Sequence, residues 1–267
     1  MRNGCPPVVF LPGAGGQAPD LSFLRDGPSD VTRFITINYP GWRQYVEADF
    51  SPEVLIQYLV EQIIAAVASG PVALLGVSLG GHFCYALALR LRALGRDVAG
   101  ICVIDSFMVT SSAAGKGWIG RAVDDAFYLL RKGRFREFGR HVLAKCWRAL
   151  MRLAGPRLAG WMRGLRGARA RPGHARSDSL FEFELSMRLL LRATAPWVAS
   201  LDREPIPLDA PAALLRTPLT SSDDEAWRRR CPQIEILEIP GGHQTLFEAE
   251  NLDALRAAFV AARRGWH

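Results

Sequence analysis

Apolar residues in this chain gather in short unbroken runs, separated by stretches with helical spacing. Val8-Val9-Phe10-Leu11 reads as a short buried strand, followed by the glycine-rich loop Pro12-Gly13-Ala14-Gly15-Gly16. Phe34–Asn38 reads as a second strand, stopped by Tyr39-Pro40-Gly41. Ser51-Pro52-Glu53 has the form of an N-cap with proline at the first helical position, and opens a helix to about Ala68. A strand over Val72–Val77, a helix over Leu79–Leu94 closed by Gly95, and a β-branched run over Val98–Ile104 follow. The alternation then stops. From residue 106 to about 200 the pattern is helical, with Phe135, Phe138, Val142, Trp147, Leu150 and Leu153 on one side of a basic helix. After Pro207 and Pro211 it resumes, with strands over Ala212–Leu215 and Ile234–Ile239 and a closing helix over Leu246–Ala262. Strand–helix alternation broken by one helical excursion predicts an α/β fold with a mostly parallel sheet and a lid insertion. The expected organisation is a single domain, with a core of 1–105 and 207–267 and an insertion of 106–206.

Composition changes this picture little. A chain of 267 residues, 49% hydrophobic and 22% charged, can bury one sizeable core. Five scattered cysteines without a C-x-x-C pair predict reduced packing residues, with no metal site and no disulfide set. The start lacks an apolar signal-peptide core, and no run reaches the roughly 18 apolar residues of a membrane span, so a cytoplasmic location is expected. Charge is more informative by position than by sum. Lys116–Arg176 holds 16 Lys/Arg against three acids, a balance of +13 within a whole-chain net charge of +7. The remainder is therefore net acidic.

The chemistry concentrates at Gly76-Val77-Ser78-Leu79-Gly80-Gly81. A buried strand running into G-x-S-x-G and then a helix is the nucleophile-elbow pattern, which forces the serine into a strained turn and exposes its hydroxyl at the carboxyl end of the sheet. Such a serine needs a base, and the base needs an orienting acid. Of five histidines, His243 follows the last predicted strand in Pro240-Gly241-Gly242-His243-Gln244, at the edge where Ser78 emerges. His82 falls in the first turns of the helix after the elbow and is expected to point away. His141 and His174 belong to the basic insertion, and His267 is terminal. For the acid, Asp105 ends the strand next after the elbow strand and has no obvious structural task; it is preferred. Asp223 and Asp224 are the alternative, with helix capping as their competing role. The backbone N–H groups of Leu79 and Ala14 are the expected oxyanion donors. The loop Gly13–Gly16 is neither G-x-x-x-x-G-K-[ST] nor G-x-G-x-x-G, which argues against nucleotide binding.

P-G-A-G-G after the first strand, G-V-S-L-G-G-H-F-C-Y-A-L-A-L-R-L-R-A-L-G, I-D-S-F at the next strand end and P-G-G-H-Q-T-L before the last helix together resemble thioesterase domains. These are the α/β-hydrolase domains that release products from polyketide synthases and nonribosomal peptide synthetases. The resemblance covers roughly 6–106 and 207–262. It implies transfer of an acyl, peptidyl or polyketide chain from a phosphopantetheine thioester to Ser78, then release by hydrolysis or cyclisation, with His243 as base and Asp105 as its acid. No cofactor is implied beyond the phosphopantetheine that carries the substrate. The acid position fits the product-releasing form of the family; the free-standing editing form usually places it where Asp223 and Asp224 sit, and usually carries histidine where Gly13 stands. A carboxylesterase or lipase-like hydrolase with the same three residues competes with this reading. So does a non-catalytic α/β-hydrolase that binds a ligand, although a complete Ser–His–Asp set argues against it.

The basic segment 116–176 has a bland reading as a solvated lid. Its functional reading is docking: carrier proteins and phosphopantetheine are anionic, so a cationic lid would steer an acyl or peptidyl carrier protein. Contact with a membrane surface and binding of nucleic acid are not expected, the latter because no recognition motif accompanies the charge. Phe181, Phe183, Leu185 and Met187 are candidates for lining an acyl channel.

Overall fold

A computed structural model describes residues 5–16, 18–45, 50–106, 175–218, 224–243 and 245–266. The chain divides into two compact units, Met1–Thr110 with Glu182–His267, and Ser111–Phe181; the description below concerns the first. Residues 116–174 of the basic segment, Asp223 and the apolar positions from Phe135 to Leu153 lie outside the described residues.

The elements run β1 (Val8–Leu11), β2 (Phe34–Thr36), α1 (Trp42–Tyr45), α2 (Pro52–Ala66), β3 (Val72–Val77), α3 (Leu79–Ala93), β4 (Val98–Ile104), α4 (Ala175–Arg203), β5 (Ala212–Arg216), α5 (Asp224–Arg230), β6 (Glu235–Glu238) and α6 (Ala249–Ala262), with 3-10 turns at Ser22–Leu24 and Arg263–Gly265. The six described strands form one sheet in the order β2-β1-β3-β4-β5-β6. Every pairing is parallel. This is the mostly parallel α/β architecture expected from the alternation of runs.

Successive side chains of a strand face opposite sides, and here both sides are apolar. Val9, Leu11, Leu74, Ile101, Val103 and Leu214 join one core with Leu55, Leu59 and Ile63 of α2 and Phe83, Leu87 and Leu91 of α3. Phe10, Ala73, Leu75, Cys102, Ala213 and Leu215 join a second with Leu255 and Phe259 of α6 and Trp266. The elbow strand therefore sits mid-sheet with every residue buried. Leu190 and Val198 of α4 are buried in the first core, and Trp197 stacks on Phe83 with ring centroids 5.3 Å apart. Thus Glu182–Arg203, read from sequence inside the 106–206 insertion, groups with the sheet-bearing unit.

Local signals behave as chemistry requires. Ser51 Oγ accepts from Val54 N at 3.3 Å, with Pro52 opening α2. Several boundaries differ from expectation, two of them near the sheet edge and the closing helix. β2 ends at Thr36 rather than Asn38, and the closing helix starts at Ala249 because Thr245–Phe247 form turns that bury Leu246. Among the described residues no helix is long and apolar enough to cross a membrane.

Candidate active site

The site is assembled at the carboxyl ends of β3, β4 and β5 and in the loop after β6. Ser78 lies between β3 and α3 with φ 55° and ψ −120°, and Asp105 directly after β4 has φ 48°. Left-handed backbone at a non-glycine residue costs on the order of 1–3 kcal/mol, so the surroundings must hold it in place. For Ser78 they do so through close packing. A Cβ on Gly76 would collide with the Gly80 carbonyl, and one on Gly80 with the carbonyls of Leu11 and Pro12. The two glycines let α3 start directly against β3 and the loop after β1. Hydrogen bonds complete the hold. Ser78 N donates to Ile104 O at 2.9 Å, and its carbonyl accepts from Ser106 Oγ at 2.5 Å.

Asp105 is fully buried, and its backbone N–H donates to Leu215 O at 2.7 Å. Its Oδ1 accepts from both Thr217 N and Thr217 Oγ1, each at 3.0 Å. Its Oδ2 lies 2.7 Å from His243 Nδ1. An ionised carboxylate can only accept, so against an ionised Asp105 it is Nδ1 that donates. His243 keeps 26% of its side chain exposed. Its loop is shaped by Gly241 (φ 93°), where a side chain would run into Asn251. Gly242 N donates to Thr245 Oγ1 at 2.9 Å, Thr245 N returns to Gly242 O at 2.8 Å, and Asn251 Nδ2 in α6 holds Thr245 O at 2.8 Å.

The loop after β1 closes on the elbow. An ideal Cβ on Gly13 would stand 3.4 Å from Ser78 Cβ, and Gly16 N donates to Gly13 O at 2.9 Å, so Ala14 lies in a tight turn beside the serine's residue. Leu79 opens α3 immediately after Ser78. Both expected oxyanion donors therefore belong to segments that meet at the elbow.

Other candidates are placed elsewhere. His82 is buried, stacks on Trp227 at 5.5 Å between centroids, and its Nδ1 accepts from the guanidinium of Arg230 at 3.0 Å. Asp224 opens α5 and pairs with Arg216 at 3.0 Å. Three residues absent from the sequence-based candidates support the site: Thr217 beneath the acid, Ser106 beneath the elbow, and Trp227, whose Nε1 donates to Ser106 O at 2.8 Å. Thr217 stands one residue past the end of β5, at the carboxyl edge of the sheet, but that place alone does not mark it as a partner of Asp105.

Residues 6–126 match the thioesterase-domain family model. That stretch holds the glycine loop, the elbow and Asp105, and stops short of His243. Thioesterase TesA of Mycobacterium marinum is 34% identical over 116 residues, which span 41% of this chain and 43% of that protein. The match thus covers less than half the length of that curated relative. Solved thioesterases share the fold over nearly the whole chain. The Vlm2 thioesterase domain, bound with a dodecadepsipeptide, aligns with a TM-score of 0.58 at 20% identity, covering 98% of this chain and 97% of its own. RedJ thioesterase from the prodiginine pathway of Streptomyces coelicolor aligns at 0.58 and 20%, covering 97% and 91%. The NocB thioesterase domain, in covalent complex with a fluorophosphonate nocardicin G analogue, aligns at 0.56 and 19%, covering 96% and 94%.

Proposed function

We propose that this chain is a serine thioesterase that releases an acyl, peptidyl or polyketide chain from a phosphopantetheine carrier through an acyl-Ser78 intermediate. The observation that carries the reading is the Asp105–His243 hydrogen bond, set beside a left-handed Ser78 on the neighbouring strand end. The family match over 6–126 and the thioesterase neighbours support the class of enzyme and the choice of a thiol as leaving group.

In the first half-reaction Ser78 Oγ attacks the thioester carbonyl carbon while His243 Nε2 takes the hydroxyl proton. The backbone N–H groups of Leu79 and Ala14 hold the oxyanion, and Asp105 stabilises the imidazolium. The carbon–sulfur bond then breaks, and His243 returns the proton to the departing sulfur. In the second half, water or a hydroxyl or amine of the chain attacks the acyl ester. His243 takes the attacker's proton and delivers it to Ser78 Oγ as that bond breaks. The chemistry draws on these side chains and amides, and the reading includes no resident cofactor or metal.

The carrier is an acyl or peptidyl carrier protein in the cytoplasm. The basic segment 116–176 is its proposed docking surface, on the charge argument alone. A steep loss of carrier affinity with added salt is the expected signature; weak, salt-insensitive binding overturns that assignment.

The decisive experiment incubates the protein with a panel of acyl-pantetheine thioesters and reads the adducts by mass spectrometry. Acylation at Ser78, absent in Ser78→Ala, is expected, and the released species identifies the acceptor. Hydrolysis of simple oxygen esters without acylation by any thioester would favour a carboxylesterase instead. Capture of a fluorophosphonate by the NocB domain supports using the same probe class here.

A further inference from the structure

We infer that Thr217 is a positioning residue for Asp105: the end of β5 supplies the donors that hold the acid's carboxylate in the plane where it meets His243. The inference rests on the reading of Asp105 and His243 as the acid and base of the site.

The argument begins with where a carboxylate can go. Asp105 directly follows β4, in left-handed backbone and without exposure. Its carboxyl group rotates about a soft terminal torsion, which on its own does not choose which oxygen faces the imidazole. A buried carboxylate also needs donors to remain ionised. Thr217 meets both demands. Its N–H and its hydroxyl reach the same oxygen, Oδ1, at 3.0 Å each, while Oδ2 is left to His243 at 2.7 Å. Two donors from one residue fix one oxygen, and with it the carboxylate plane.

The residue is itself fixed. Thr217 is fully buried and follows β5 directly. It is tied to Asp105 a second way, because Asp105 N donates to Leu215 O at 2.7 Å. The strand next to the acid's own strand thus grips both the backbone and the carboxylate of Asp105. The two hydrogen bonds that Thr217 donates to Asp105 reach the oxygen that faces away from the imidazole, so it acts through Asp105 rather than on the substrate.

The test compares Thr217→Val, which removes the hydroxyl at nearly constant shape and keeps the N–H, with Thr217→Ser, which restores the hydroxyl. The full chain is assayed for turnover of a p-nitrophenyl acyl ester, and the His243 Nδ1–H proton is followed by NMR. Thr217→Val should lower kcat about 10-fold with KM nearly unchanged, and move the Nδ1–H resonance upfield with faster exchange against solvent. Thr217→Ser should return both to wild-type values. An unchanged resonance and kcat in Thr217→Val overturn the inference. So does a Thr217→Ser as impaired as the valine variant, since the hydroxyl would then not be what matters. If Thr217→Val does not fold, the serine variant decides: wild-type kcat and resonance support the inference, and loss of both overturns it. Asp105→Asn separates this from the parent reading: full turnover in that variant removes Asp105 as the acid, whereas an inactive Asp105→Asn beside a fully active Thr217→Val removes the role of Thr217 alone.

Discussion

The hydroxyl of Ser106 donates to the carbonyl oxygen of Ser78 at 2.5 Å. One turn ends β3 and carries the elbow serine; the other ends β4 and carries Asp105. Ser78 and Asp105 are the two non-glycine positions with positive φ among the described residues, and Ser106 lies directly after one and grips the other. Ser78 N donates to Ile104 O at 2.9 Å, so the segment 104–106 holds the serine's residue from both sides. Ser106 is held in turn, since its own carbonyl accepts from Trp227 Nε1 at 2.8 Å. One buried side chain thus links the two turns that carry positive φ.

Removing that link should loosen the elbow more than it unfolds the protein. Ser106→Ala leaves Ser78 O without the hydroxyl, at a stability cost of about 1 kcal/mol. The expected result is a denaturation midpoint only slightly lowered, with fluorophosphonate labelling of Ser78 slowed roughly 10-fold. Labelling at the wild-type rate would show that the brace does not position the nucleophile.

Ser78 carries strain that glycine would not. At φ 55° and ψ −120° a side chain is disfavoured, whereas glycine enters such backbone without steric cost. Ser78→Gly should raise stability by about 1 kcal/mol, after the greater freedom of glycine in the unfolded chain is set against the relief. Turnover should vanish in the same variant. A urea titration of wild type, Ser78→Gly and Ser78→Ala checks this; a glycine variant less stable than the alanine variant would contradict a strained elbow.

Asp105 and Asp224 part company under the same substitution. Asp105→Asn puts an amide against His243 Nδ1 and favours the wrong tautomer, so kcat should drop by about 10^3 to 10^4. Asp224 pairs with Arg216 in a partly exposed setting, with side-chain exposures of 24% and 34%. Asp224→Asn should cost well under about 1 kcal/mol and leave kcat near wild type. Parallel kinetics of the two variants decide which aspartate serves the base.

Much of this arrangement was legible because buried parallel strands write themselves as unbroken apolar runs. β1, β3, β4 and β5 appear near their expected bounds, and the loops that follow them hold Ala14, Ser78, Asp105 and Thr217. Edges were harder to read: β2 and β6 lie at the two margins of the described sheet, with partly exposed residues and weaker patterns. The supporting contacts were not legible, because they join positions far apart in the chain. Nothing local marks Thr217 as a partner of Asp105, 112 residues away. Arg230 ends the run Arg228-Arg229-Arg230, yet its side chain is fully buried against His82 and Asp202. Solvation of a charge run is a property of each side chain's position on its helix, and composition does not carry it.

Far from the elbow, Asp30 and Arg263 predict how the fold responds to acid. The pair is nearly buried, at 8% and 11% side-chain exposure, and Arg263 also reaches Thr32 Oγ1 at 2.5 Å, joining the approach to β2 to the turn after α6. Burial alone would raise the Asp30 carboxyl, but the hydrogen bonds from Arg263 and Thr32 outweigh it and hold the group well below the usual carboxylate range. The folded state therefore binds this proton less readily than the unfolded chain, whose aspartates titrate near about 3.9. The stabilisation is complete above that value and is lost progressively as pH falls below it toward the folded value. Asp30→Asn should cost roughly 2–4 kcal/mol at pH 7, since it leaves the Arg263 charge without its partner. The gap between wild type and variant should hold from pH 7 to about 5 and narrow below about 4. Denaturant midpoints of both proteins at pH 7, 5 and 3 make the measurement. A gap of constant size across that range would mean that the ionised carboxylate is not what holds the two segments together.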